Sequence, residues 1–340
     1  MTDMENAKPR HTNVAIFVPH AGCPHCCSFC NQWAISGAGK MPGPEDVKNA
    51  CETAVATMRT SPESSEIAFF GGSFTAIPED YMASLLKAAS YYVKKGYFKG
   101  IRVSTRPDCI DKRILKTLGR FGVTAIELGA QSMDDNVLSA NRRGHRAADV
   151  EKASNLIHES GIELGLQMMT GLYKCNRETD IKTAESLASL KPATMRIYPT
   201  LVVENTMLAS LYRKGEYQPQ TLEEAVSLCA YLIPFFEDKG IKVIRVGLHS
   251  DTDMQAGLVA GPWHPSFREL CESRIFFNKA IKLLEEKYPG GGHAVITVNP
   301  RAVSKTVGQH RSNIELLLKK GYVVEIQADS SLNPGELVLR

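Results

Sequence analysis

Short apolar runs alternate with amphipathic stretches up to about residue 200, and this alternation limits the fold more than any other feature of the chain. Each run has the length of a buried strand and is closed by Gly, Pro or polar residues. Strand–helix units with short connections favour a parallel sheet with right-handed crossovers. The chain is therefore predicted to be an α/β protein with a partial (β/α)6 TIM-type barrel. The predicted strands cover residues 14–18, 66–70, 101–105, 124–129, 162–169 and 195–198.

Helical periodicity fills the spaces between these runs and continues in a different pattern after residue 200. There a single predicted strand at 242–246 separates helical segments, and the tail returns to a small α/β arrangement. We expect residues 1–200 to form the barrel core and residues 201–340 to form a C-terminal α/β extension packed on it. Helices are predicted over about 45–59, 78–96, 110–119, 146–160, 177–190, 204–214, 220–239, 264–286 and 310–320, and further strands over 294–298, 322–326 and 337–339.

Four of the nine cysteines lie in one short segment, directly after the first predicted strand. Cys23, Cys27 and Cys30 have the spacing C-x3-C-x2-C, with Phe29 just before the last of them. Three thiolates on one loop can hold three corners of a [4Fe–4S] cube and leave one iron without a protein ligand. Four-cysteine ligation is the usual way to hold an electron-carrying cluster. The missing fourth ligand therefore indicates an iron site at which a small molecule binds.

A structural zinc ion is the alternative for this segment, with Cys26, His25 or His20 as the fourth ligand. Zinc sites usually combine two Cys pairs from separated segments, and no further C-x2-C pair occurs elsewhere in the chain. The spacing therefore favours the cluster over zinc. The remaining five cysteines occur singly and are interpreted as small buried hydrophobic residues. They are Cys51, Cys109, Cys175, Cys229 and Cys271.

Composition places the chain among ordinary globular proteins, with 43% hydrophobic and 23% charged residues. The net charge of +3 does not by itself indicate nucleic acid or an acidic membrane as a partner. We find no run long enough to span a membrane and no signal-peptide pattern at the N-terminus. An odd number of cysteines with one tight group favours metal binding in a reducing compartment over a disulfide scaffold. We therefore expect a cytoplasmic protein that is not bound to a membrane.

Polar residues follow each predicted strand at its C-terminal end, which is where parallel α/β folds bind their ligands. Glycines at such a position let the backbone approach a ligand closely. Each residue alone is weak evidence, but together they predict one site at one edge of the sheet. The candidates are the cysteine segment, Gly71-Gly72-Ser73, Ser104, Gln131, Gln167 and Tyr198.

Several motifs in a fixed order resemble those of the radical S-adenosylmethionine (SAM) superfamily. Within it, the chain is most similar to the radical SAM domain of the catalytic Elongator subunit, which modifies the wobble uridine of transfer RNA. The similarity extends over about residues 14–250, and the ordered set is more specific than any single motif. Beyond the cysteine segment, the motifs are Gly-Gly-Ser-Phe-Thr at 71–75, Val-Ser-Thr-Arg-Pro-Asp at 103–108, Glu-Leu-Gly-Ala-Gln-Ser at 127–132, Arg-Gly-His at 143–145, Gln-Met-Met at 167–169 and Ile-Tyr-Pro-Thr-Leu-Val at 197–202.

The resemblance implies two cofactors, a [4Fe–4S] cluster held by Cys23, Cys27 and Cys30, and SAM bound to its open iron. Cys26 would then be a bystander, and Phe29 would pack near the adenine or the cluster. The other residues receive roles by position in the motifs. Gly71, Gly72 and Ser73 face the methionine amino group, Ser104 and Gln131 contact the ribose, and Gln167 and Tyr198 line the cavity.

Two assignments stay open on the sequence alone. Arg143 is the candidate clamp for the methionine carboxylate, which a guanidinium can grip in a fork, and the neighbouring Arg142 is its alternative. Glu127 either forms a structural ion pair or belongs to the site.

The implied reaction is reductive cleavage of SAM to a 5′-deoxyadenosyl radical, which abstracts hydrogen from a substrate. Transfer RNA is the expected substrate, and a flavodoxin or ferredoxin is the expected electron donor. The catalytic Elongator subunit also has an acetyltransferase domain, which we do not expect within the residues after 250. The alternatives are a coproporphyrinogen-oxidase-like enzyme acting on a small molecule and a non-catalytic iron–sulfur binding or sensor protein.

Basic residues are modestly grouped in two stretches that are candidates for contacting RNA. Solvated helix faces are the simpler interpretation at this small net charge, and it is the resemblance to a transfer RNA enzyme that favours RNA. The first group comprises Lys94, Lys95, Lys99, Arg102, Arg113, Lys116 and Arg120, and the second comprises Arg301, Lys305, Arg311, Lys319 and Lys320.

Overall fold

A seven-stranded parallel sheet is the centre of the structure, a computed structural model that describes residues 12–19, 23, 26–31, 40–58, 60–248 and 257–340. The strand order is β1-β2-β3-β4-β5-β6-β8, and the sheet curls into an open half-barrel. Two short strands, β7 and β9, form a separate antiparallel ribbon. The strands are β1 (Thr12–Val18), β2 (Ser65–Gly71), β3 (Gly100–Thr105), β4 (Val123–Gln131), β5 (Glu163–Thr170), β6 (Thr194–Pro199), β7 (Val202–Val203), β8 (Lys242–Val246) and β9 (Leu258–Ala260).

Helices connect the strands and cover the outer face of the sheet, where a continuous hydrophobic core extends from Val14 to Cys271. Local sequence sets several helix starts, because Asp111, Asp134 and Thr221 each accept a hydrogen bond from an amide of the first turn. The helices are α1 (Pro44–Thr57), α2 (Glu79–Lys94), α3 (Lys112–Arg120), α4 (Asp135–Ala140), α5 (Ala147–Glu159), α6 (Arg177–Ser189), α7 (Met207–Arg213), α8 (Leu222–Glu237), α9 (Phe267–Lys287), α10 (Val303–Val307) and α11 (Ser312–Lys319).

A smaller unit follows the barrel, with its own three-stranded sheet and its own hydrophobic cluster. The strands are β10 (Gly292–Val298) in the centre, β11 (Tyr322–Ala328) parallel to it and β12 (Leu337–Leu339) antiparallel to it. Its cluster includes Phe276 of α9 and Leu317 of α11. The division near residue 200 stays a prediction, and β8 extends the large sheet beyond that residue by pairing with β6.

All predicted strands and the long predicted helices are present, and the α/β half-barrel is confirmed. The elements that the sequence did not indicate are all short. Helix α4 has six residues, β7 has two, β9 has three and α10 has five. Segments of this length contain too few turns or alternations to produce a clear period. No helix within the described ranges combines the length and apolar character that crossing a bilayer requires.

The inner face of the half-barrel carries charges rather than a purely apolar lining. Arg102 of β3 is 4% exposed and donates to Glu66 of β2 at 2.9 Å and to Glu163 of β5 at 3.0 Å. It also contacts Glu127 of β4 at 3.4 Å. Burial would lower the pKa of Arg102, but the neighbouring carboxylates raise it above its usual value. Arg102 is therefore a structural cation, and its inclusion in a surface group for RNA was wrong.

Replacing Arg102 with alanine should destabilise the protein severely, because Glu66 and Glu127 would keep buried charges without their partner. Breaking a buried ion pair on one side typically costs about 3–5 kcal/mol. The matched control is Arg113→Ala, which removes an arginine whose ion pair with Glu79 is exposed. The measurement is the guanidinium concentration at the midpoint of unfolding. A midpoint for Arg102→Ala equal to that of Arg113→Ala would contradict the assigned structural role.

Candidate functional site

The three cysteines that the C-x3-C-x2-C spacing singled out lie in the segment beyond the end of β1. Cys23, Cys27 and Cys30 are half-buried, whereas Cys26 is exposed. Burial, together with the charges of Cys27 and Cys23, raises the pKa of Cys30 to about 12. Burial also raises the pKa of Cys23, although a hydrogen bond from the Ser73 backbone acts in the opposite direction. The three thiols are thus close enough to interact electrostatically, and bound iron would relieve the repulsion between their thiolates.

Hydrogen bonds from distant parts of the chain fix the shape of this segment. The Ser28 amide donates to the Asn141 carbonyl at 3.0 Å, and the Ser28 hydroxyl donates to Asn141 Oδ1 at 2.7 Å. Asn141 Nδ2 in turn donates to the Tyr173 carbonyl at 2.9 Å. On the other side, the Leu208 amide of α7 donates to the Ser28 carbonyl at 2.8 Å. Asn141 is fully buried and was not among the predicted site residues.

Phe29 packs against hydrophobic side chains on both sides of the cysteine segment. Its neighbours belong to two small clusters, one containing Val202 and Tyr217 and the other containing Met169, with Tyr198 at its margin. These contacts hold the cysteine segment against β5 and β6. Packing near the cofactor stays a prediction for Phe29.

Of the two candidate arginines, only Arg143 faces the cysteines. Its Nη1 donates to Cys27 Sγ at 3.0 Å and its Nη2 donates to the Gly129 carbonyl at 2.6 Å. Its Nε is buried and has no hydrogen-bond partner within the described ranges. Arg142 has a left-handed backbone with φ of +53° and is exposed. Arg143 therefore has a donor that a bound anionic group can use, and it already contacts a cluster ligand.

The turn after β2 brings Gly71 and Ser73 beside the cysteine segment. Gly71 has φ of +112°, and a Cβ at this position would lie 2.8 Å from the Val18 carbonyl oxygen. The Gly72 amide donates to that same oxygen at 2.9 Å. The Ser73 hydroxyl bonds Thr105 Oγ1 at 2.8 Å, so its backbone rather than its hydroxyl faces the cysteines. A glycine is needed at 71 because β1 and β2 approach closely just before the cysteines.

Arg106 and His145 complete the surroundings of the cysteines, although neither was predicted as a site residue. Arg106 forms a fork with Asp108, with both bonds at 2.9 Å, and its guanidinium also donates to the Arg143 carbonyl. The buried His145 Nε2 lies 3.2 Å from the Ala130 carbonyl oxygen. Burial and the two arginines lower the pKa of His145 to about 4, so it is neutral at physiological pH. Both residues lie in motifs that carry the family resemblance, so these motifs could have indicated them as site residues.

The predicted cavity residues on β3 to β6 do converge on the inner face. Gln167 Nε2 donates to Gln131 Oε1 at 3.2 Å, and Gln131 has a left-handed backbone at a register shift between β4 and β5. The Tyr198 hydroxyl accepts from Arg196 Nη1 at 3.3 Å. Ser104 Oγ lies 3.5 Å from Glu127 Oε2. Two amides and two hydroxyls therefore lie on the inner face of the half-barrel.

Glu127 has a structural role, which resolves the question that the sequence left open. It is 3% exposed and forms an ion pair of 2.6 Å with Arg196. Burial would lower the pKa of Arg196, but Glu127 and then Tyr198 raise it well above its usual value. Glu127 and Arg196 therefore neutralise each other, and Arg102 also contacts Glu127.

A cleft of about 650 Å³ opens beside the site, between the segment after β5 and the segment before α8. Cys175, which lines it, is half-buried and its thiol donates to Asp180 at 2.9 Å. Burial raises the pKa of Asp180 to about 6. Cys51, Cys229 and Cys271 are buried as predicted, whereas Cys109 and Cys175 are only half-buried.

Among the described residues, no three Cys, His, Asp or Glu side chains are placed to hold a single metal ion. Thiols that bind different irons of a cube need not converge on a single point. His20 and His25, proposed as the fourth zinc ligand, lie outside the described residues.

Several of the predicted basic residues have acidic partners. Arg113 pairs with Glu79 at 2.8 Å, and Lys305 pairs with Glu272 at 2.7 Å. Lys320 lies 3.8 Å from Glu285. Within the described ranges Arg301, Arg311 and Lys319 form no ion pair. The second basic group is therefore smaller than its sequence suggests.

Comparison with known families covers most of the chain. The profile of the radical SAM superfamily matches residues 17–187, and the profile of the radical SAM C-terminal domain matches residues 192–276. Among solved structures, the Elp3 of Methanocaldococcus infernus with an N-terminal deletion superposes with a TM-score of 0.62. It is 21% identical and the match covers 82% of this chain and 64% of that one, so it supports the fold alone.

Curated relatives include transfer RNA enzymes from distant organisms. The Elongator complex protein 3 of Homo sapiens is 30% identical over 234 residues, which are 62% of this chain and 41% of that protein. The tRNA uridine(34) acetyltransferase of Dehalococcoides mccartyi is 27% identical over 241 residues, with coverages of 61% and 52%. That of Methanocaldococcus jannaschii is 33% identical over 132 residues, with coverages of 38% and 24%. The chain thus spans between about a quarter and half of these relatives.

Removing the Asn141 side chain should loosen the cysteine segment, because the Ser28 hydroxyl and the Tyr173 carbonyl would lose their partner. Each buried polar group left unsatisfied costs about 1–3 kcal/mol. We expect anaerobically reconstituted Asn141→Ala to lose iron to a chelator faster than the unchanged protein, as followed by visible absorbance. Asn136→Ala is the matched control, since Asn136 is exposed on α4, the helix that ends just before Asn141. Equal rates for the two variants would show that Asn141 does not hold the segment.

Proposed function

The chain belongs to the radical SAM superfamily, and from this premise we propose that it binds a [4Fe–4S] cluster and SAM and cleaves SAM reductively. The observation that carries the proposal is that three half-buried cysteines lie on one segment after β1, beside Arg143, whose Nη1 donates to Cys27 Sγ at 3.0 Å. We assign Cys23, Cys27 and Cys30 as the iron ligands. Cys26 is exposed and is not needed in this scheme.

The surrounding residues fit these cofactors. Burial raises the pKa of the Cys23 thiol, and the positive charges of Arg106 and Arg143 act in the opposite direction, toward the thiolate that binds iron. The buried Arg143 Nε is free to donate to a carboxylate, in keeping with the clamp proposed for this residue. The Gly71-Gly72-Ser73 turn leaves backbone groups at the cysteines, and we propose that these receive the methionine amino group. When bound, the cluster and SAM supply a 5′-deoxyadenosyl radical that can abstract a hydrogen atom.

The inner face of the half-barrel would orient the rest of the cofactor and the substrate. Gln131 and Ser104 are proposed to contact the ribose, and Gln167 and Tyr198 to line the cavity. Arg196, held by Glu127, fixes the Tyr198 hydroxyl. This lining is polar and rigid, as positioning of a reactive group requires. A reduced flavodoxin or ferredoxin is the proposed electron donor, in the reducing cytoplasm where free thiols persist.

Transfer RNA, and in it the wobble uridine, is the proposed substrate. The names of the relatives from Dehalococcoides mccartyi and Methanocaldococcus jannaschii support it, since both act on uridine 34 of transfer RNA. Arg301, Arg311 and Lys319, which have no acidic partner among the described residues, are cations available to phosphates.

Cluster binding and SAM cleavage can be tested together under anaerobic conditions. Protein reconstituted with iron and sulfide and reduced with dithionite should convert SAM to 5′-deoxyadenosine and methionine. Cys27→Ala should abolish both iron binding and cleavage, because it removes one of three ligands. Cys26→Ala is the matched control and should keep both. Retention of a tightly bound zinc ion with no uptake of iron would overturn the assignment, and a cluster without deoxyadenosine would identify a binding or sensor protein instead.

The substrate proposal requires a separate experiment, with two transcripts of one transfer RNA that differ only in uridine or cytidine at position 34. With SAM, reductant and the unfractionated small molecules of a cell extract, we expect a modified nucleoside to form in the uridine transcript alone. Nucleoside mass spectrometry after digestion provides the measurement. If neither transcript is altered while the extract loses a small molecule in a SAM-dependent manner, the transfer RNA proposal is wrong.

A further inference from the structure

The small unit after the barrel has a strand–helix–helix–strand order that neither family profile covers in full. Residues 277–340 lie beyond the matched ranges 17–187 and 192–276. Parallel β10 and β11 are joined through α10 and α11, while β12 extends the sheet on the other side of β10. Side chains of α9, of the turn before α10 and of α11 form a single cluster on this sheet, through Phe276, Ala302 and Leu317. The helices therefore cover one face of a three-stranded sheet.

The link between α10 and α11 is a short loop, Gly308-Gln309-His310-Arg311, with a fixed shape. Gly308, His310 and Arg311 have φ of +80°, +50° and +63°. A Cβ on Gly308 would lie 2.5 Å from Ser312 Oγ, so only glycine fits. The buried side chain of Asn313, in the first turn of α11, fixes the end of this loop.

Asn313 ties the loop to two helices at once. Its Nδ2 donates to the Lys305 and Thr306 carbonyls at the end of α10, both at 3.1 Å. The same amide nitrogen lies 3.0 Å from Ser273 Oγ of α9. The buried Asn313 side chain anchors the loop, so the exposed loop residues are not needed for its packing and can contact a ligand. His310 and Arg311 are exposed.

The surface around the loop combines positive charge with apolar side chains. Arg301 and Arg311 are exposed and have no ion pair within the described ranges. Val303 of α10 and Val324 and Ile326 of β11 are half-buried at the margin of the cluster, on the helical side of the sheet. Among the described strands β11 pairs with β10 alone, so its other edge is open. Cations beside an apolar strip and an open strand edge suit a polyanion with exposed bases better than a protein partner.

We infer that this unit binds single-stranded RNA in the manner of a KH domain, with the Gly308–Arg311 loop against the phosphates and the bases over Val303, Val324 and Ile326. In KH domains a Gly-x-x-Gly loop clamps about four backbone nucleotides. Arg311 takes the place of the last glycine here. It adopts the left-handed backbone that a glycine would favour and adds a guanidinium that can grip a phosphate in a fork. The inference concerns a surface separate from the cysteines and does not depend on the chemistry proposed there.

The test is fluorescence anisotropy of the full chain with a short labelled oligouridine, at several salt concentrations. The double variant Gln309→Asp with His310→Asp places two negative charges in the loop. It should weaken binding by at least about tenfold, and the salt slope should fall by about 0.7 for each phosphate that the protein no longer neutralises. The same strand annealed to its complement should bind about tenfold more weakly than the single strand, because a duplex hides its bases.

The matched control is Lys282→Gln with Lys287→Gln, which changes the net charge by the same amount on exposed positions of α9. Lys287 lies beside β12, on the opposite side of the sheet from β11. The control should bind oligouridine within about twofold of the unchanged protein, since its loop is intact. Melting temperature and iron content establish that the loop variant is folded.

Equal affinity of the loop variant and the control, or equal affinity for duplex and single strand, would overturn the inference. So would the absence of any binding at low salt. Formation of 5′-deoxyadenosine is the readout of the barrel and separates the two proposals. A protein that cleaves SAM without binding oligouridine contradicts only the RNA surface, and loop-dependent binding without cleavage contradicts only the radical chemistry.

Discussion

The half-barrel depends on a chain of buried charges that links strands β2 to β6 across its inner face. Arg102 bridges Glu66 and Glu127, and Glu127 continues to Arg196. Removing these groups from water is expensive, and only partners on neighbouring strands offset the cost. Because side chains alternate between the two faces of a strand, a register slip of one residue would turn a charge into the apolar layer under the helices. The ion pairs thereby fix the register as well as the polarity of the inner face.

The cysteine segment depends on a different constraint, since contacts from far along the chain hold it. Ser28 is bonded on one side to Asn141, at the end of α4, and on the other to Leu208 of α7. Close approach of Gly71 to Val18 sets where the segment leaves the sheet. The positions of the thiols are therefore a property of the folded barrel, and a peptide of this segment would not reproduce them.

The sequence predicted the architecture well because its signals are local. Strand length, helical periodicity and glycine positions identified every strand of the half-barrel. The sequence did not show that β8 belongs to the large sheet, because this depends on its pairing with β6. The cysteines and the glycine turn were found through spacing and motif order. What could not be predicted was which polar residue pairs with which. Nothing in the sequence shows that Asn141 bonds Ser28, or that Glu66 and Glu272 lie beside Arg102 and Lys305.

Helix α9 connects the two hydrophobic cores and sets their relative position. Phe267 and Cys271 belong to the barrel core, whereas Phe276, Ala280 and Leu284 belong to the second cluster. At about 1.5 Å per residue, the 21 residues of this helix extend over about 30 Å. One continuous helix shared by two cores resists bending, because each core would lose packing if it moved independently.

Helix α9 contacts the barrel at the carboxyl edge of the large sheet. A crossover helix between parallel strands begins near the carboxyl edge of the sheet, so Glu223 in the first turn of α8 marks that edge. Arg274 of α9 forms an ion pair with Glu223, and Phe267 packs on Gly247 just after β8. Glu223 also lines the cleft that contains Cys175. Helix α9 therefore links residues at the carboxyl edge of the half-barrel to the hydrophobic cluster beneath the Gly308–Arg311 loop.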